Sequence, residues 1–314
     1  MTGTEIQPLH GQTVAPIEWP TVALAGVIYG GYLAVTWWWA SLPLPLVIVA
    51  GAWLIAWHGS LQHEVMHGHP TRLRWINDGL GWPPLSLWLP YALYRESHML
   101  HHRDEFLTDP IEDPESSYFT RQAWERLGAT GRRLASWNTT LLGRLTIGPA
   151  VMILAFLAQE AMQLRKGDRA RLLLWLRHGA GVAIVLVWVV AICGMPLWLY
   201  LLGFVYGGAS LSRIRSYAEH RYADHHEERT AIVENSPFLG LLFLHNNLHV
   251  LHHRRPGIPW YRLPALYRRD RQALIALNGG LLYNGYGDIF RRYLVTPHDE
   301  PRHPLYLENA AKDR

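Results

Sequence analysis

Eighteen histidines stand in this sequence, and half of them fall into four clumps with the spacing of metal ligands. His63 and His67 form an HxxxH. His98, His101 and His102 form an HxxHH, and His249, His252 and His253 form a second one, while His220 stands alone after Glu219. Neutral imidazole binds iron, zinc, copper and nickel well. On a helix, residues three and four apart lie on one side, so a single helix can feed two or three nitrogens to neighbouring ions. Two octahedral-like ions with open positions need about eight to ten protein ligands, and these clumps supply nine imidazoles. The first clump also reads as HExxH, the zinc-protease motif, but HxxHH twice over leaves far more ligands than one zinc takes. Soluble di-iron bundles rely mostly on carboxylates, so an all-histidine set points to another class.

Other residues gather around these boxes. A ligating histidine commonly gives its second N–H to a carboxylate, which makes Asp109, Asp113 and Glu219 candidates for that role; the alternative is helix capping and Asp-Pro turns. Asn246, three before His249, is either a donor at the metal (directly or through water) or, like Asn247, the N-cap of the box helix. His245 is an alternate ligand and His69 a candidate for the layer behind the ligands. His58 reads as a hydrogen-bonded core histidine, and His225-His226, among Asp224, Glu227 and Glu228, as a solvated turn.

The elements that position the boxes are apolar. Trp19 to His63 contains no Asp, Glu, Lys or Arg, and Pro43 and Pro45 break it. A bilayer crossing takes about 20 apolar residues, so the stretch predicts two spans, near 20–41 and 46–62, joined by a tight turn. A second charge-free run, His178 to Ser212, is broken at Gly194-Met195-Pro196 and predicts spans near 173–193 and 196–213. Gly79–Tyr94 and Leu145–Gln159 are apolar but proline-interrupted or short, and read as interfacial or re-entrant. Thirteen Arg and Lys lie between residues 64 and 171 and fifteen after 212, with none in the two hairpin turns. The positive-inside rule then places both termini and all four clumps on the cytoplasmic side. The expected fold is all-α and integral to the membrane. Four transmembrane helices form two hairpins, and a cytoplasmic helical cap over 63–171 and 214–298 carries the histidines, in one domain spanning 1–314.

Composition removes several classes. Charged residues are only 17% of the chain, and the 15 Trp suit anchoring at lipid headgroups. The net charge of +4 comes with no stripe of Arg interleaved with exposed aromatics, which argues against nucleic acid. The single Cys193 excludes a disulfide framework. The N-terminal 18 residues lack the basic start of a cleaved signal peptide, and the polar tail after Asp299 is expected to be mobile. A transporter would need ionisable groups deep in its spans, where this sequence has almost none. A metal store without catalysis is the remaining non-enzymatic alternative, although it would not require repeated HxxHH geometry.

The ordered set resembles the membrane fatty acid desaturase/hydroxylase superfamily over nearly the whole chain. Paired spans lead into HxxxH, then HxxHH about 30 residues later, a lone His after the fourth span and a final HxxHH. Thr108-Asp109-Pro110-Ile111-Glu112-Asp113-Pro114 and Pro256-Gly257-Ile258-Pro259-Trp260 are similar to segments common there. The resemblance implies two irons on His63, His67, His98, His101, His102, His220, His249, His252 and His253, O₂ as co-substrate, and oxidation of an unactivated C–H. It implies a separate ferredoxin- or rubredoxin-like electron donor, since His69-Pro70-Thr71-Arg72 is not the HPGG of a fused cytochrome b5. An acyl-lipid-like substrate and desaturation are the first expectation. Hydroxylation or ketolation of an alkane, carotenoid or smaller metabolite is the second.

Overall fold

Where side chains are apolar and water is scarce, the backbone must satisfy its own hydrogen bonds, and a helix does so within one segment. The computed structural model describes residues 17–306 and is mostly helical. The end of the polar tail and nearly all of the N-terminal stretch lie outside the described residues. α1 (Trp19–Trp37) opens on Pro20, where a missing N–H costs nothing. A short turn through Ser41 then leads to Pro43, which precedes α2 (Leu44–Met66). α2 is longer than the expected 46–62: no breaker intervenes before Gly68, so the helix runs on and carries His63 on its own last turns.

Three small helices follow, α3 (Arg74–Gly81), α4 (Tyr91–His101) and α5 (Arg121–Arg126), then α6 (Ala129–Asn138) and α7 (Leu141–Thr146). Of the two readings of 145–159, interfacial and re-entrant, α8 (Gly148–Arg165) does not fit the re-entrant one. It is one unbroken 18-residue helix, because Pro149 sits in its first turn. Its apolar residues Val151, Leu154 and Met162 are exposed, while Glu160 is buried and accepts from Trp175 Nε1 at 3.0 Å. α9 (Arg169–Ile192) ends in a π-helical segment, and α10 covers 197–218 through a second π segment at Tyr200–Tyr206. α1, α2 and α9 are each long and apolar enough to cross a membrane.

α2 is the axis of the bundle. It packs on α1 and, most closely, on α10, where small residues let the backbones approach. A Cβ on Gly208 would lie 2.5 Å from Ile55, and one on Gly51 would lie 2.4 Å from the Phe204 ring. The irregular stretch 82–90 is tucked between the apolar helices: Leu85 is buried with Val47 and Tyr200, and its carbonyl accepts from Tyr200 Oη at 2.7 Å.

Beyond α10 the chain makes a two-residue strand β1 (Ile232–Val233), then α11 (Pro237–Leu242), α12 (His249–Arg254) and α13 (Leu263–Leu277). β2 (Leu282–Tyr283), parallel to β1, precedes α14 (Tyr286–Tyr293). The polar segment after α14 is anchored rather than loose as far as it is described: Phe119 N donates to Pro301 O at 2.8 Å, His303 N to Phe119 O at 3.0 Å, and His303 is fully buried.

Candidate metal centre

Three helix ends and one loop bring the nine box histidines together. α2 supplies His63 and, just past its end, His67; α4 supplies His98 and His101, with His102 capping it; α12 supplies His249, His252 and His253; His220 follows α10. They form two groups. His63, His67, His98, His102 and His252 make a five-membered group, and His101, His220, His249 and His253 a four-membered one, the ligand atoms within each lying within 4.8 Å of one another.

The division follows helical geometry. Residues four apart differ by about 40° around a helix, and residues three apart by about 60° in the other direction. In each HxxHH the i, i+4 pair therefore stays together, His98 with His102 and His249 with His253, while the middle histidine turns to the other group. Each HxxHH helix thus serves both groups, whereas α2 gives both His63 and His67 to the five-membered one.

The nitrogens converge as ligands do. In the five-membered group His98 Nε2 lies 3.1 Å from His67 Nε2 and 3.0 Å from His102 Nε2, which is itself 3.0 Å from His252 Nε2. In the four-membered group His220 Nε2 is 3.0 Å from both His101 Nε2 and His249 Nε2. With metal–nitrogen bonds of about 2.1 Å, neighbouring nitrogens stand roughly 3.0–3.4 Å apart, so the donor sets fit transition-metal ions. His253 Nε2 is buried with no hydrogen-bond partner, as a ligand atom facing a metal position would be.

The outer nitrogens are held from behind. His98 Nδ1 meets Glu115 at 3.0 Å, His101 Nδ1 meets Asp113 at 2.9 Å, and His253 Nδ1 meets Asp104 at 2.8 Å. His249 Nδ1 lies 3.2 Å from Asn246 Oδ1 and 3.3 Å from Glu219, and His220 Nδ1 donates to Arg229 O at 3.3 Å. A proton fixed on Nδ1 turns the Nε2 lone pair inward.

Burial keeps most of these rings neutral. It holds His220, His249, His252 and His253 well below the usual imidazole range, and with the neighbouring His98 and His101 it takes His102 down to about 2. His101 is the exception: burial acts downward, but the carboxylates of Glu115 and Asp113 outweigh it and push the ring up to about 9. In the four-membered group His101 alone thus has surroundings that favour a positive charge.

The candidates behind the ligands separate. Asp113 and Glu219 touch box histidines, whereas Asp109 does not. Asp109 accepts from the backbone N–H of Ile111 (2.8 Å) and Glu112 (3.1 Å), in the turn that the Asp-Pro alternative anticipated. Asn246 is not the cap of α12, whose N-cap is Leu248. Instead it lies between the groups, with Nδ2 3.4 Å from His63 Nε2 and 3.3 Å from Glu219 Oε1. Asn247 is structural and donates to Val233 O at 2.7 Å. Glu115 and Asp104 were missed by sequence reasoning, although acids following the second box were a usable signal. His58 meets Tyr29 Oη at 3.2 Å as a core histidine.

Glu64, the acid of HExxH, belongs to neither group. It accepts from Trp260 N at 3.0 Å and shares a buried cluster with Glu18 and His69, whose Nδ1 lies 2.9 Å from both Glu18 oxygens. It is therefore not aimed at the box histidines as a protease base would be.

No curated protein matches this sequence. A family model described as fatty acid desaturase matches residues 19–286, from the first residue of α1 into the start of α14, and takes in all four histidine clumps. With two histidine groups that suit metal and a match over most of its length, the chain belongs to the fatty acid desaturase family, a family of oxidoreductases known for di-iron sites.

Proposed function

We propose that this protein is an O₂-dependent membrane oxidoreductase that holds one iron in each histidine group and desaturates an acyl-lipid-like substrate. The observation that carries the reading is the pair of separate histidine groups, five and four, with Nε2 atoms turned inward. When bound, the two irons supply the O₂ activation and the oxidising power for an unactivated C–H. Desaturation consumes O₂, two electrons and two protons, and yields a C=C bond and two waters. The electrons would come from a separate ferredoxin- or rubredoxin-like protein.

The chain's own residues bind, orient and exclude water. Asp113, Glu115, Asp104 and Glu219 hold Nδ1 protons, which fixes the tautomer of His101, His98, His253 and His249. His98, His101 and His249 are at most 2% exposed and lie away from bulk water, while His67, His102 and His220 are half-buried on the open side of the site. Asn246 reaches toward His63 on one side and His249 on the other, and keeps the two groups in register.

The same reading extends to topology. α1, α2, α9 and α10 cross the bilayer as two hairpins, with both turns outside and the histidine-bearing cap of 63–171 and 214–298 in the cytoplasm. The lysine- and arginine-free hairpin turns support that orientation.

Metal analysis of the purified protein tests the centre, with two irons per chain expected. One zinc, or no metal, would remove the reading. Lipid profiling of cells with and without the gene tests the reaction. The expected product is two hydrogens lighter than its precursor; one oxygen heavier would assign a hydroxylase instead.

A further inference from the structure

A polar cavity of about 50 Å³ lies beside His220, walled by α7, α10, the loop 108–118 and the segment 298–301. Two arginines face it, Arg144 and Arg213. Arg144 is 6% exposed, and its Nε donates to the Asn138 carbonyl at 2.9 Å. Arg213 Nη1 meets only the thioether of Met152 at 3.4 Å, a weak acceptor, and its Nε is buried without any. Ser216 Oγ, one turn further along α10 and in the same wall, is also buried without a partner.

The acids lining this cavity are engaged elsewhere: Asp113 by His101, Glu115 by His98, Asp299 by Arg221 and His298, Glu300 by Arg302. Among the described residues neither Arg144 nor Arg213 has an acid in ion-pair contact; Asp299 acts on Arg144, and Glu115 and Glu219 on Arg213, only at longer range. A buried charge without a counter-ion is strongly unfavourable; Arg144 is buried with its guanidinium 5.8 Å from the Tyr217 ring centroid, Arg213 is half-buried, and the two facing one cavity with an idle hydroxyl make a place for an anion. Guanidinium N–H pairs match the two oxygens of an oxyanion.

We infer that this cavity binds a carboxylate group through Arg144, Arg213 and Ser216. Its size chooses among oxyanions. A water needs at least about 10–15 Å³ of such space, so the cavity takes about three to five water-sized groups: a carboxylate fits with the carbon behind it, whereas the five atoms of a phosphate would fill it to its limit. That carboxylate is either the head of a fatty acid, whose first carbons would then lie near His220, or a free small acid.

The test uses the full-length, iron-loaded protein in detergent at constant chloride, following thermal unfolding as acetate, dodecanoate, dodecanol or phosphate is added. Both carboxylates are expected to raise the midpoint saturably, and dodecanol and phosphate to leave it unmoved. Dodecanoate acting at least tenfold below acetate identifies a lipid head; equal potency identifies a free small acid. Arg213→Met should weaken carboxylate binding at least tenfold without lowering the midpoint in the same buffer before carboxylate is added, because it removes an unpaired, half-buried charge. Should that variant fail to fold, Ser216→Ala is read in the same way, with a smaller loss. No saturable shift, the same shift in the variant, or an equal response to dodecanol or phosphate would overturn the inference. None of these readouts counts iron, so failure here leaves the di-iron reading standing.

Discussion

The two histidine groups differ more in their surroundings than in their ligands. The five-membered group has more nitrogens, but among the described residues its one carboxylate partner is Glu115, behind His98. The four-membered group has fewer nitrogens and a fuller support: Asp113 behind His101, Asp104 behind His253, Glu219 behind His249 and a backbone carbonyl behind His220. Carboxylates behind imidazoles raise ligand basicity and lock ring orientation. Two sites built from one residue type are therefore unequal: more acids stand behind the four-membered group, one of which, Glu219, is itself paired with Arg215 at 3.1 Å.

The largest expected effect comes from removing a ligand. His252→Ala, in the five-membered group, and His101→Ala, in the other, should each reduce oxidation at least about 100-fold while leaving membrane insertion intact. Each should keep about one iron per chain. Full activity in either variant would take that residue out of the site.

A smaller effect falls on the supports. Asp113→Asn should weaken iron retention about 10–100-fold, and Glu115→Gln should do so less, which iron-binding competition would measure. The reverse order would break the contrast drawn between the groups. A chelator should accordingly strip iron in two phases of about equal amplitude, and the Asp113→Asn variant should bring the slow phase toward the fast one. A single phase in the unaltered protein would mean that the groups are equivalent. Smallest of all, Asp109→Asn should lower stability by about 0.5–1.5 kcal/mol through its turn and leave the iron content unchanged.

Much of this was legible because the signals were local. Charge-free runs and paired prolines marked α1, α2 and α9, and i, i+4 spacing marked which histidines share a helix face. The open alternatives were also local: 145–159 read as interfacial or re-entrant, and Pro149 occupies a first turn of an unbroken helix; Asp109 read as a support or a turn residue, and it caps its own loop. Asp104 and Glu115 were hidden because α4 ends at His101, and only the path of the chain beyond it brings those acids back to His253 and His98. The burial of His303 depends on pairing with residue 119, far away in sequence.

By itself, the sequence determined that this is an apolar helical protein with imidazole ligands in ordered boxes, because periodicity and composition are properties of neighbouring residues. Only the tertiary structure decided that nine histidines divide five and four, with each HxxHH shared between the groups. Helix geometry separates the faces of one box, but which faces meet depends on how α2, α4 and α12 are packed, and that is settled by contacts between residues up to about 190 positions apart.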